Sequence, residues 1–164
     1  MFNKINFLFV TLFGIGKIGK ISGSLASLAT TVFLFLLLHV LNTSPNIVLI
    51  GVLIIFLISL YAVNIFIKDL DNKDPKEVVI DEFIGQSIPI CLYEIAHQGS
   101  KETGQVLTSY FVMFVLFRIF DIVKPYPVSY YDKNFKNSFG VIMDDIAAGL
   151  YVVAVLVLYM VFSS

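Results

Sequence analysis

Seven charged side chains in three short stretches carry whatever chemistry this chain performs. Asp81 and Glu82 lie in "VIDEFIGQ", Arg118, Asp121 and Lys124 in "FRIFDIVKPYP", and Asp144 and Asp145 in "VIMDDIAAGL". Carboxylates brought close together repel one another and take up protons unless a cation sits among them. Oxygen donors without histidine or thiolate suit a hard ion such as Mg²⁺, which keeps its waters and bridges to phosphate. Arginine meets phosphate as a planar fork, and lysine meets it as a point charge. Residues 118 and 121 are three apart and share one face of a helix. Asp144 and Asp145 stand near the start of an apolar run, where free backbone N–H groups favour anions. Together these residue types suggest metal-assisted chemistry on a phosphoryl group. Each stretch alone has a plainer reading. Paired acids at a helix start answer the helix dipole, and Arg118 with Asp121 could be a structural ion pair. The functional reading therefore depends on whether the rest of the chain brings the three stretches together.

The chain that must do so is built for lipid. Of its 164 residues 58% are hydrophobic and 14% charged, with mean hydropathy +0.89. Soluble domains carry about 25% charged residues. The sequence therefore predicts an integral membrane protein, with residues 1–164 forming a single domain. Four long apolar runs stand out: Ser24 to Leu41, Asn46 to Ile67, Leu107 to Val123 and Gly140 to Phe162. Each approaches or exceeds the roughly 20 residues that cross a bilayer. A fifth run, Val78 to Ala96, is interrupted by Asp81, Glu82, Pro89 and Glu94. It could be a weak span, a re-entrant helix or a helix packed inside the bundle. Backbone groups in lipid must be satisfied within the protein. The expected fold is thus all-α, a polytopic membrane bundle of about four to five helices. The opening "MFNKINFLFVTLF" resembles a signal peptide only faintly and reads as retained.

The lysines orient that bundle. If all five runs cross, one side receives Lys4, Lys17, Lys20, Lys68, Lys73, Lys76, Lys124, Lys133 and Lys136, and the other receives Lys101 alone. The lysine-rich side is the expected cytoplasmic side, which puts the amino terminus inside. On this topology Asp81 and Glu82 begin one run, Arg118, Asp121 and Lys124 close the next, and Asp144 and Asp145 begin the last, all at the same interface. Gly85 and Gly149 would let neighbouring helices approach closely.

Other signals carry less. A net charge of −1 gives no basic footprint for nucleic acid, and a single cysteine, Cys91, excludes an internal disulfide or a Cys-rich metal site. Cys91 reads as packing. Gly14-x-Gly16-x-x-Gly19 matches a dinucleotide fingerprint but lacks the strand–turn–helix context, so it reads as a loop at the interface. Ser22-Gly23-Ser24 could contact phosphate or cap the first run, and capping is preferred. His39 and His97 fall at the far face. No protein partner is legible.

The three charged stretches, read in full as "VIDEFIGQ" (79–86), "FRIFDIVKPYPVSYYDKN" (117–134) and "GVIMDDIAAG" (140–149), resemble the phosphatidylglycerophosphatase A family. The segment "FGIGKIGKISGSLASLA" (13–29) looks like a diverged form of that family's glycine-rich opening. Ser22 stands where the family has proline and Ala26 where it has a second glycine. The segment after Asp132 lacks the family's paired glycines. The resemblance implies a mostly helical, Mg²⁺-dependent phosphatase of the bacterial inner membrane, with its site facing the cytoplasm. It would hydrolyse the phospholipid phosphatidylglycerophosphate to phosphatidylglycerol and phosphate. The positions it carries over are Asp81, Glu82, Arg118, Asp121, Lys124, Asp144 and Asp145. On this reading Asp81, Glu82, Asp144 and Asp145 hold Mg²⁺. Arg118, Lys124 and Ser24 bind the substrate phosphate, and Asp121, Asp144 and Asp145 are catalytic. Asp121 remains open as ligand, base or nucleophile. The competing readings are a cation or proton transporter subunit, a non-catalytic scaffold, and a phosphatase acting on a related lipid phosphate. A CDP-alcohol phosphotransferase would need a spaced Asp-Gly pattern that is missing.

Overall fold

A computed structural model describes residues 2–97 and 102–163. Lys101, the lone lysine assigned to the far side, lies outside the described residues. Among those described, all regular structure is helical: α1 (Phe2–Val10), α2 (Ser22–Phe35), α3 (Pro45–Ile67), α4 (Ile80–His97), α5 (Thr103–Val123), α6 (Val128–Asn134) and α7 (Ser138–Ser163). A 3₁₀ turn (Ile15–Ile18) precedes α2, and a π-helical turn (Leu36–Val40) prolongs it. Four segments are long and apolar enough to cross a membrane: Ser22–Val40, Pro45–Ile67, Thr103–Val123 and Ser138–Phe162. They are the four apolar runs, extended by a few small or polar residues at their starts. Propensity there is weak, but a helix that packs continues through such residues. The architecture is that of a multi-pass membrane protein.

The interrupted fifth run becomes α4, and it lies inside the bundle. It packs against α2, α3, α5 and α7. Eleven of its 18 residues are buried, whereas only 28% of the corresponding window of α3 is buried. This explains its composition. A helix surrounded by protein has no lipid to satisfy and can carry Asp81, Gln86, Ser87 and Glu94, all of them buried. α3 turns Ile47, Ile50, Leu53, Ile54 and Leu57 outward, each more than half exposed. At roughly 1.5 Å per residue, α4 is about 27 Å long. Its start lies by the start of α2 and the end of α5, and its end lies by the end of α2.

Two glycines bring α4 against α7. A Cβ on Gly149 would strike the Gly85 carbonyl oxygen, and a Cβ on Gly85 would sit 2.6 Å from the Asp145 carbonyl oxygen and 2.8 Å from the Phe117 ring. Pro89, inside α4, has no N–H to return to the carbonyl of residue 85. That carbonyl faces the bare Cα of Gly149, where a weak C–H···O contact can meet it. The close approach expected from Gly85 and Gly149 is therefore present. Its consequence is local: Asp81 and Glu82 lie one turn before Gly85, and Asp145 lies one turn before Gly149.

α1 is tied in at its middle and at its last residue. Asn6 Nδ2 donates to the Ala62 carbonyl of α3 at 3.0 Å, and the Val79 N–H donates to the Val10 carbonyl at 3.0 Å. The capping expected of Ser22-Gly23-Ser24 does not occur. No side chain caps α2, and Ser22, its first residue, instead donates its Oγ to the Lys76 carbonyl at 3.0 Å. A long-range partner outcompetes the local one here.

Candidate active site

Asp81, Glu82, Arg118, Asp121, Lys124, Asp144 and Asp145 all line one cavity of about 260 Å³ at one end of the bundle. The three sequence stretches do converge. α4 contributes its first turn, α5 its last two turns with the capping Lys124, and α7 its second turn.

The acids fall into two groups. Asp81, Glu82 and Asp145 each offer an oxygen within 4.8 Å of the other two. Asp81 and Asp145 are 6% and 4% exposed. Two oxygens of this trio, Glu82 Oε2 and Asp145 Oδ1, are buried with no hydrogen-bond partner among the described residues. Buried carboxylate oxygens are normally satisfied, and three such groups at this spacing repel one another. A cation with open coordination positions answers both problems. The donor set, all carboxylate oxygen with no nitrogen or sulfur, fits a hard divalent ion. Asp144 stands apart. Its Oδ2 accepts from Lys124 Nζ at 2.7 Å, and the same ammonium donates to Asp132 Oδ1 at 2.6 Å. Of the four metal ligands expected from the sequence, the fold gathers three and gives the fourth to a lysine.

The cations are held by local structure. Lys124 caps α5 in the left-handed region, with φ +48°, and Pro125 follows it. This sharp stop turns the chain back so that α6 can bring Asp132 to the same ammonium. Partial burial alone would push the Lys124 pKa down, but the charges and hydrogen bonds of Asp144 and Asp132 outweigh it and hold the pKa above the ordinary lysine value. Arg118 Nη1 pairs with Asp121 Oδ2 at 2.8 Å, lies 4.0 Å from Glu82 Oε1 and reaches Ser27 Oγ at 3.4 Å. Its Nε is buried without a partner among the described residues. Gly23 leaves room for this cluster. A Cβ there would collide with Glu82 Oε1 and press on Arg118 Nη1 at 3.2 Å.

Ser24 does not line the cavity, whereas Ser22 and Gly23 do. Positions 23 and 27 of α2 share the face turned to Arg118, and position 24 lies on the next face round. Asp74, Asp132, Lys20 and Lys76 were not singled out as site residues in the sequence, although Asp74, Lys20 and Lys76 line the cavity and Asp132 completes the Lys124 pair. All four lie outside the apolar runs, in segments with no periodicity to place them. Gln86, one turn beyond Glu82, is also a surprise: both ends of its amide are buried without a partner among the described residues.

A family model described as Phosphatidylglycerophosphatase A matches residues 8–160. The chain is similar to a Phosphatidylglycerophosphatase A of Haemophilus influenzae, with 35% identity over 94% of this chain and 88% of that protein. It is 30% identical to a Phosphatidylglycerophosphatase A of Escherichia coli over 84% of this chain and 73% of that one. A Putative phosphatidylinositol-3-phosphatase of Bacteroides thetaiotaomicron is 41% identical over 49% of this chain and 45% of its own. No solved structure is detectably similar. The family match covers every segment that builds the cavity, and so the chain belongs to the phosphatidylglycerophosphatase A family of phosphatases.

Proposed function

We propose that this protein hydrolyses phosphatidylglycerophosphate to phosphatidylglycerol and inorganic phosphate, at the cytoplasmic face of a bacterial inner membrane, with Mg²⁺ as cofactor. One observation carries the reading: in a chain of this family, three buried carboxylates lie within 4.8 Å of one another with two unpartnered oxygens, beside an arginine and a lysine. Asp81, Glu82 and Asp145 hold the ion. When bound, Mg²⁺ supplies Lewis-acid polarisation of the phosphoryl group. Arg118 offers its fork to the equatorial phosphoryl oxygens, and Asp121 fixes the plane of that fork. Lys124 neutralises the charge that builds up as the ester bond breaks, where electrostatic stabilisation matters most. Asp144, outside the trio and paired to Lys124, is the carboxylate suited to accept the proton of the attacking water. Water forms the new P–O bond, the glycerol oxygen leaves with a proton, and the acyl chains stay in the leaflet. The cytoplasmic placement draws support from Lys17, Lys20, Lys73, Lys76 and Lys124, all of which line cavities at the acidic end.

The transporter alternative needs polar groups through the membrane depth. Past Gln86 and Ser87, however, Ile90 and Cys91 are fully buried and apolar, and they separate those polar groups from Glu94. The deciding experiment measures phosphate release from phosphatidylglycerophosphate in detergent micelles. Wild type is run with Mg²⁺ and with EDTA, and Asp145→Asn is run with Mg²⁺. Release that needs both the metal and Asp145 is the expected result. Equal release in all three arms would end the metal-site reading, and no release from folded wild type would end the substrate assignment.

A further inference from the structure

The glycine-rich turn before α2 is one motif that the catalytic reading leaves unused. It forms a wall of a second cavity, about 790 Å³, beside the acidic one. Lys20, Pro75 and Lys76 line both cavities. This second space is amphipathic. Lys17, Lys20 and Lys76 supply cations, and Phe7 and Phe66, with ring centroids 6.1 Å apart, supply an apolar floor. Asp71 and Glu77 also line it, so its charged side chains sum to one positive charge.

The walls are held in place. Gly14 and Gly19 sit at φ +100° and +96°, where side-chain-bearing residues are strained. Gly16 packs directly on the loop opposite, since a Cβ there would lie 2.8 Å from the Glu77 carbonyl carbon. Ser22 Oγ pins the Lys76 carbonyl from the other side. Lys17 Nζ stands 4.7 Å above the Phe7 ring. The cavity therefore sits where α1 meets the end of α3, at head-group depth in the membrane topology proposed above.

Resting on the phosphatase reading, the chemistry of its substrate supplies the occupant. That lipid carries two phosphates, a terminal monoester that is cleaved and a diester that joins the head group to diacylglycerol. The acidic cavity has room and cations for the first. We propose that the second cavity binds the phosphodiester of the same molecule, with Lys17, Lys20 and Lys76 as specificity-determining residues and Phe7 and Phe66 under the first acyl carbons. A phosphodiester carries one negative charge, which matches the net charge of the lining. An aromatic floor beside lysines suits a lipid, whereas free phosphate would have no use for it. The pair of cavities then acts as a ruler that selects lipids with a second phosphate at the right distance from the first.

Lys17 lines only the second cavity and is exposed, so its variants separate the two sites without disturbing the core. The experiment measures KM and kcat for phosphatidylglycerophosphate in micelles with wild type, Lys17→Arg, Lys17→Ala and Lys17→Glu. It also measures inhibition of each by inorganic phosphate, which probes the acidic cavity alone. The expected result is a KM that rises about threefold for Lys17→Ala and roughly tenfold for Lys17→Glu, with kcat within about twofold, the pattern of lost uniform binding. Lys17→Arg should restore the wild-type KM, and the phosphate inhibition constant should stay put. A KM unmoved by Lys17→Glu would overturn the proposal, as would a phosphate inhibition constant that rises in parallel. A wild type inactive on this lipid would overturn the phosphatase reading as well, so the two failures are distinguishable.

Discussion

Helix α4 carries buried acid at both ends, and the two ends are opposites. Asp81 and Glu94 are equally buried, each 6% exposed. At the far end Glu94 is satisfied. His39 Nε2 lies 3.2 Å from its Oε1, and the Tyr110 hydroxyl lies 3.4 Å from the same nitrogen. Phe35 stacks on the His39 ring at 5.2 Å, and Tyr93 donates to Ser109 at 2.9 Å. One acid meets a basic ring and a shell of aromatic packing. At the near end the carboxylates of Asp81, Glu82 and Asp145 face one another, and two of their oxygens have no partner among the described residues. Burial is thus no mark of a site. A satisfied buried acid stabilises the bundle, whereas an unsatisfied cluster stores repulsion that a ligand can relieve.

The contrast breaks most sharply at Asp145. Asp145→Asn should lower phosphate release at least about a hundredfold, the scale of removing one preorganised charge from a phosphoryl-transfer site. Its melting temperature in EDTA should match or exceed wild type, because one of three repelling charges is gone. A lowered melting temperature with activity intact would make the near end structural after all. Gly23→Ala comes next. The added methyl collides with Glu82 and presses on Arg118, and turnover should fall about tenfold, since small misplacements of positioned groups are amplified in the rate. Helical content by circular dichroism should not change, and unchanged turnover would show that the Glu82–Arg118 geometry does not matter.

The far end should answer in stability. Glu94→Leu leaves His39 without its acid and should destabilise by about 1–3 kcal/mol, the penalty of orphaning a buried polar partner. kcat should stay within about twofold of wild type. A large loss of kcat would couple the two ends and revive the transporter reading. The smallest effect is expected at Asp132. Asp132→Asn leaves Lys124 with Asp144 alone, and a partly exposed ion pair contributes about 0.2–1 kcal/mol. Stability should fall within that range while kcat drops severalfold, as Lys124 loses one of its two anchors. A full loss of activity would promote Asp132 from positioning to direct chemistry.

The four long membrane-spanning helices were legible because lipid writes them plainly, whereas the short α1 and α6 were not. An uncharged run such as Asn46 to Ile67 has few alternatives to crossing as a helix. α4 was legible only as an ambiguity. Periodicity cannot tell a poor membrane span from a good central helix, since the difference lies in what surrounds it. Asp81, Glu82, Arg118, Asp121, Lys124, Asp144 and Asp145 were legible from charge type and from the side of the membrane that the lysine distribution assigned them. Asp132 and Asp74 were not, because a turn such as the one at Lys124 can aim the following chain in many directions.

The amino-acid sequence by itself determined that this chain is a helical membrane protein, and it led us to expect the acids and cations of three stretches at one end of the bundle. Both follow from the cost of exposing charge and backbone to hydrocarbon, a cost that acts on each residue locally. Only the tertiary structure decided which carboxylates form the trio and which one pairs with Lys124. It also decided that Ser22 serves the Lys76 carbonyl and that Glu94 belongs to the frame. Those outcomes depend on distances between segments far apart in the chain, and two glycines facing each other across α4 and α7 set the most important of them.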